Sequence, residues 1–163
     1  MFALVTGASS GCGYEYARIM AQMGYKLLIV SNEEAIHDKA LLLRQDFGVE
    51  VVSLVRNLGV QDAAKELYDY CKAANIQVEV LINNAGVYHD CDFLADSEGF
   101  NQLIFNLHMH TPAMLMYYFA QDMVQRGKGY ILNMCSITAD IAVQRLSPRE
   151  HSLQALRARV RRC

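Results

Sequence analysis

No Cys-x-x-Cys pair occurs in these 163 residues, and the five cysteines, Cys12, Cys71, Cys91, Cys135 and Cys163, are odd in number. A disulfide framework or a zinc ribbon is therefore not expected. A reduced, intracellular protein is, with the cytoplasm as its compartment. No leader is visible either: the apolar start, Phe2 to Val5, is short and runs straight into Thr6-Gly7. No apolar run approaches the roughly 20 residues of a membrane span. The formal net charge is only −2, too small to steer the chain toward nucleic acid or a membrane surface. There is no internal repeat and no low-complexity segment. What is present is apolar: 53% of residues are hydrophobic, which excludes wholesale disorder and allows one domain with a real core.

The charge is unevenly spread. Residues 141–163 carry six arginines against one glutamate, or +5, which leaves −7 in residues 1–140. So sharp a reversal divides the chain into a domain over 1–140 and an atypical Arg-rich tail over 141–163.

Within the first part, short apolar runs alternate with helical patterns. Residues 2–6, 26–30, 49–55, 78–82 and 130–134 read as strands. Between them, residues 14–23 read as a helix stopped by Gly24. Residues 33–47 read as a second helix, with Asn32 as its N-cap and Gly48 as its stop. A third helix is expected over 62–74, and a long one from about 97 to about 125. The alternation argues for an α/β fold with a doubly wound parallel sheet. The nearly continuous apolar strands fit a sheet covered on both faces.

The first strand ends in Thr6-Gly7-Ala8-Ser9-Ser10-Gly11-Cys12-Gly13 and a helix follows. A dinucleotide needs its pyrophosphate against bare backbone N–H groups at a helix N-terminus, and side chains there would block the approach. Glycines at 7, 11 and 13 in a strand–turn–helix context satisfy that need. Ser9, Ser10 and Cys12 complete the loop. Directly after the fourth strand stands Asn83-Asn84-Ala85-Gly86, the long helix carries Asn106, and Ser136 follows the fifth strand.

These four marks, in this order, make residues 1 to about 140 resemble the short-chain dehydrogenase/reductase family. The resemblance implies a Rossmann-like sheet of order 3-2-1-4-5, here with the C-terminal strands missing. It also implies hydride transfer between NAD(P)(H) and a small-molecule alcohol or carbonyl, with Ser136 and Asn106 in the catalytic set. Gly7, Ser9, Ser10, Gly11, Cys12, Gly13 and Asn83 to Gly86 would hold the cofactor, with Ser31, Asn32 and Asn57 toward its adenosine end. Ser31 and Asn32 stand where the family chooses its cofactor. Neither is charged, so no carboxylate repels a 2′-phosphate, and NADP is favoured slightly over NAD. Glu33 and Glu34 could argue for NAD, but acids in a first helical turn serve the helix dipole.

The departure lies downstream. The resemblance implies a catalytic Tyr about a dozen residues beyond the Ser, with a Lys four further on. Here that place holds Ser147-Pro148-Arg149, the last Tyr is Tyr130 and the last Lys is Lys128. A phenol with a pKa near 10 needs such a cation to move a proton at neutral pH. Tyr68 and Lys72 match the spacing, but on a helix expected to pack far from the nicotinamide. His108 and His110 diverge on a helix, so no metal site is expected. Cys135 is expected to be a buried structural thiol. His151 is a conceivable substitute base on the tail.

Two function classes follow. One is a short-chain dehydrogenase/reductase-type oxidoreductase by descent, inactive as this chain. The other is a non-catalytic dinucleotide-binding or vestigial protein. The tail is read as a frame change or truncation near Val143 rather than a nucleic-acid-binding arm, since no aromatic accompanies its arginines. Self-association is expected from an uncovered fifth strand.

Overall fold

The computed structural model describes residues 1–88 and 97–136. The proposed tail, His151, Cys91 and Cys163 lie outside them. The chain runs β1 (Phe2–Thr6), α1 (Gly11–Gln22), β2 (Lys26–Ser31), α2 (Ile36–Phe47), β3 (Val51–Val55), α3 (Ala63–Ala73), β4 (Val78–Asn83), α4 (Glu98–Phe105), a π-helical turn (Asn106–His110), α5 (Thr111–Arg126) and β5 (Tyr130–Asn133). The five strands form one sheet in the order β3-β2-β1-β4-β5, and every pair is parallel.

Strand period explains the two layers. Successive side chains point to opposite faces, so Phe2 and Leu4 join one core with Leu28, Leu67, Leu81, Leu115 and Phe119. Ala3 and Val5 join the other with Ala17, Leu27, Ile29, Ile36, Leu43 and Ile82. Helices α3 and α5 cover the first face and α1 and α2 the second. Burial on both faces is why the central strands read as nearly continuous apolar runs.

The β1–β4 register slips between Phe2 and Ala3, leaving Glu79 between the pairs Phe2–Val78 and Ala3–Val80. Its side chain is only 4% exposed, and Lys128 Nζ meets it at 2.8 Å. The Tyr25 hydroxyl donates to the same carboxylate at 3.2 Å. The Lys128 ammonium holds the Glu79 carboxyl below its ordinary range.

Two elements depart from expectation. Helix α2 begins at Ile36 with Ala35 before it, so Asn32 is not its N-cap. The Ser31 hydroxyl accepts the Glu33 N–H at 3.2 Å, and Ile36 and His37 bond back to Glu33 and Glu34. These contacts wind residues 33–35 into a tight turn, which delays the helix. Glu33 and Glu34 consequently precede the helix instead of lining its first turn.

The long helix is interrupted. At its π turn the Thr111 N–H bonds Asn106 O, five residues back. Pro112 lies in the first turn of α5 and has no N–H to continue the α-helical ladder. The wider turn takes up the missing bond.

Candidate functional site

The carboxyl ends of β1 and β4 are locked together. Thr6 Oγ1 accepts the backbone N–H groups of Asn84 at 2.9 Å and Ala85 at 3.0 Å, and donates to Ile82 O at 3.3 Å. The Asn84 amide donates back to the carbonyls of Thr6 and Gly7, at 3.0 and 3.1 Å. Thr6 is 2% exposed; its side chain, which clamps the two loops, was not singled out from sequence.

The glycines are required by this closeness. Gly7 has φ +67°, and a Cβ on it would lie 2.8 Å from Ala85 Cα. A Cβ on Gly13 would stand 2.1 Å from Gly7 O and 2.4 Å from Asn84 Nδ2. The loop therefore presents backbone at the start of α1, where the first N–H groups have no intrahelical partner.

Two adjoining cavities open along this edge. The larger, about 410 Å³, is lined by Gly7, Ser9, Ser10, Cys12, Gly13, Ser31, Asn32 and Asn57, among others. The smaller, about 210 Å³, is lined by Asn83, Val87, Tyr88, Asn133, Met134 and Cys135. Cys12, Asn84, Ala85, Gly86 and Val87 line both. Of the expected cofactor residues, Gly11 alone is outside these linings. At φ +54° it makes the turn that delivers Cys12 and Gly13.

At the adenosine end, Ser31 is 5% exposed and donates to Ser9 Oγ at 3.0 Å. It braces the glycine loop. Asn57 Oδ1 accepts the Gly59 N–H at 2.9 Å. Two residues not assigned from sequence, Glu33 and Arg56, share that wall. Arg56 Nη1 donates to Val55 O at 3.0 Å.

Asn106 and Ser136 are the residues expected in the catalytic set. Asn106 Nδ2 donates to Gly59 O at 2.8 Å, and its Oδ1 accepts from Gln102 at 3.1 Å. Asn106 thus ties the long helix to the loop after β3 and lines neither cavity. The π turn instead sends His108 to the smaller cavity, with Nε2 at 3.2 Å from Val87 N and 3.1 Å from Val87 O. His110 turns away to Gln61 O at 3.1 Å, so the two imidazoles do not converge. Ser136 is half-buried and directly follows Cys135 in the wall of the smaller cavity.

Cys135 is exposed, contrary to the expected buried thiol. It lies two residues beyond β5, which among the described residues is an edge strand with only partly covered side chains. Among the described residues the buried thiol is Cys71, whose pKa burial pushes up to about 12. Tyr68 and Lys72 share Asp122 instead, at 3.3 and 3.2 Å. Their surroundings include Ile76 and Gln77, just before β4, at the opposite end of the sheet.

A strand–glycine-loop–helix unit clamped to an Asn-Asn-Ala-Gly segment is a backbone-lined cradle of the kind a dinucleotide pyrophosphate requires. Human very-long-chain 3-oxoacyl-CoA reductase is 28% identical over 142 residues, covering 83% of this chain and 44% of the reductase. A short-chain dehydrogenase from Sphingobium yanoikuyae, solved with NADPH, superposes with a TM-score of 0.86 at 25% identity, over 99% of this chain and 66% of that one. The bulky-bulky ketone specific alcohol dehydrogenase of Comamonas testosteroni gives 0.87 at 25% identity, over 99% and 68%. The chain therefore spans less than half of the human relative and about two thirds of these solved structures. The family model for short chain dehydrogenase matches residues 1–149, and with sheet order, glycine loop and clamp all in agreement, this chain belongs to the short-chain dehydrogenase family.

Proposed function

We propose that the chain binds NADP(H) across the carboxyl ends of β1, β2 and β4, and that these 163 residues alone do not turn over substrate. The family reaction is hydride transfer between NAD(P)(H) and an alcohol or carbonyl. The observation that carries the binding reading is the bare cradle itself. Gly7 and Gly13 admit no Cβ because Asn84 and Ala85 stand against them, and this junction opens onto both cavities.

The residues present fit the group. Ser10, Cys12 and Gly13, at the start of α1, would hold the pyrophosphate. Asn57 would meet the adenine, and Asn83 to Gly86 the ribose and nicotinamide end. Arg56 supports NADP over NAD, being the cation among the described residues that line the larger cavity. Glu33 on the same wall opposes it, so the preference rests on which side chain faces the ribose. The cofactor supplies the hydride; the chain's residues bind and orient it.

Proton transfer is the weak point. No Tyr or Lys follows Ser136 in the sequence, and a missing positioned acid–base group costs about 10²–10⁴ in rate. Titration of the purified chain with NADPH, followed by nucleotide fluorescence, is expected to show weak binding that Gly13→Asp removes. Unchanged binding in that variant would move the site elsewhere. A panel of alcohols and ketones is expected to give no turnover. Robust turnover lost in Ser136→Ala would establish the chain as an active oxidoreductase instead.

A further inference from the structure

The smaller cavity has a wall built by one imidazole. His108 is 6% exposed, and its Nε2 faces both backbone groups of Val87, the N–H at 3.2 Å and the carbonyl at 3.1 Å. A neutral ring protonated at Nδ1 accepts the N–H, and one protonated at Nε2 donates to the carbonyl. Either tautomer ties the long helix to the same residue. Gly86 makes the approach possible, since a Cβ there would lie 2.7 Å from His108 Cε1.

The π turn sets the aim. Each residue advances an α-helix by about 100°, so the extra residue ahead of Pro112 rotates this turn relative to α4. Asn106 stays on the side of Gly59, and His108 comes to face the Asn-Asn-Ala-Gly segment.

We infer that His108, rather than Asn106, is the positioning residue for the nicotinamide end of the site, holding the Gly86–Val87 backbone that walls the smaller cavity. This rests on the dinucleotide reading above. Gly86 and Val87 border both cavities, but Ser10, Cys12, Gly13 and Asn57, the residues assigned to the pyrophosphate and adenine, take no part in the His108 bonds to Val87. Its removal should consequently divide the ligand in two.

The test uses two probes on the full chain: NADPH, and 2′-phospho-ADP-ribose, which lacks the nicotinamide ring. His108→Ala should weaken NADPH by roughly five- to tenfold, the size of one lost buried hydrogen bond, and leave 2′-phospho-ADP-ribose unchanged. Hydrogen exchange at the Val87 amide should accelerate in the ligand-free variant. His108→Gln, whose amide reaches the same place with both a donor and an acceptor, should restore both readouts. Equal weakening of the two probes, or no weakening of either, would overturn the assignment. If the unaltered chain binds neither probe, the dinucleotide reading fails. The exchange measurement then still decides: unchanged Val87 protection in His108→Ala sinks the positioning role, and a local loss that Gln reverses supports it.

Discussion

Gly13 and Asn84 meet so closely that a Cβ on the glycine would stand 2.4 Å from the asparagine Nδ2, the same nitrogen that bonds the Thr6 and Gly7 carbonyls at 3.0 and 3.1 Å. The phosphate loop and the segment after β4 are one unit held by side-chain-to-backbone bonds. Any atom inserted at this junction breaks folding contacts and site geometry together.

Gly13→Ala is therefore expected to destabilise the fold as well as the site. The new methyl would also lie 2.1 Å from Gly7 O, and backbone cannot yield as a flexible side chain can. Overpacking of this kind costs about 1–3 kcal/mol or more, and each kcal/mol lowers the melting temperature by about 2–4 °C in a domain of this size. Gly11→Ala is the control. Nothing lies within 4 Å of its added Cβ, so only the strain of its positive φ should register. Thermal melts that ranked the two variants the other way would contradict the clamp.

Arg56→Ala should lower affinity for NADPH by roughly tenfold and leave NADH unchanged, since a charge-assisted bond to the 2′-phosphate is worth about 1.5–3 kcal/mol. Glu33→Gln should act oppositely, raising NADPH affinity by removing a carboxylate from the same wall. Parallel titrations with the two nucleotides check this. Equal losses for both in Arg56→Ala would place the arginine outside the ribose contact.

The sheet and the glycine loop were legible because each is written in local chemistry. Residues 27–30 are an unbroken apolar run and 78–82 is interrupted only by Glu79, and Gly24 and Gly48 end helices where left-handed backbone is needed. The start of α2 was not legible, since Ser31 has to be next to Glu33 in a turn before its hydroxyl can delay the helix. Nor was the π turn that sends Asn106 and His108 to different partners. Both are polar residues on a long helical pattern, and a 3.6-residue period says nothing of a π turn. Pro112 was the available signal, a residue that removes one rung of the ladder. Arg56 was missed, and Cys135 wrongly expected to be buried, for a shared reason: their places depend on what the tertiary fold sets beside two loop ends.

The Glu79 ion pair predicts an acid-sensitive fold. Lys128, and then the Tyr25 hydroxyl, hold the folded carboxyl below its ordinary value of 4.5, with burial opposing them. A lowered folded pKa contributes stability that is present above the unfolded value and lost as pH falls through the folded one. Lys128 is raised above 10.5 by the same bond, so its share is present below that value and lost only as pH rises through the raised folded pKa. Denaturant melts across pH 3 to 7 should show unfolding midpoints that fall at the acid end. In Glu79→Gln the midpoint should be lower at neutral pH and the acid dependence flatter. An unchanged acid limb in that variant would show that other carboxylates set it.

Self-association is expected from the β5 side. Among the described residues β5 is an edge of the sheet, and Tyr130 and Leu132 on it are 60% and 38% exposed. On α5, Tyr117 and Val124 are 60% and 79% exposed. An edge strand with apolar side chains offers unpaired backbone groups to another chain, and lysine on such a strand is a natural deterrent to pairing. Tyr130→Lys with Leu132→Lys should shift the purified chain toward monomer without altering its circular dichroism, and Val124→Lys should do so less if strand pairing dominates. Sedimentation velocity over a concentration series measures the outcome. A chain that is already monomeric at the highest concentration would remove this prediction. Association relieved by Val124→Lys alone would move the contact from the sheet edge to the helix.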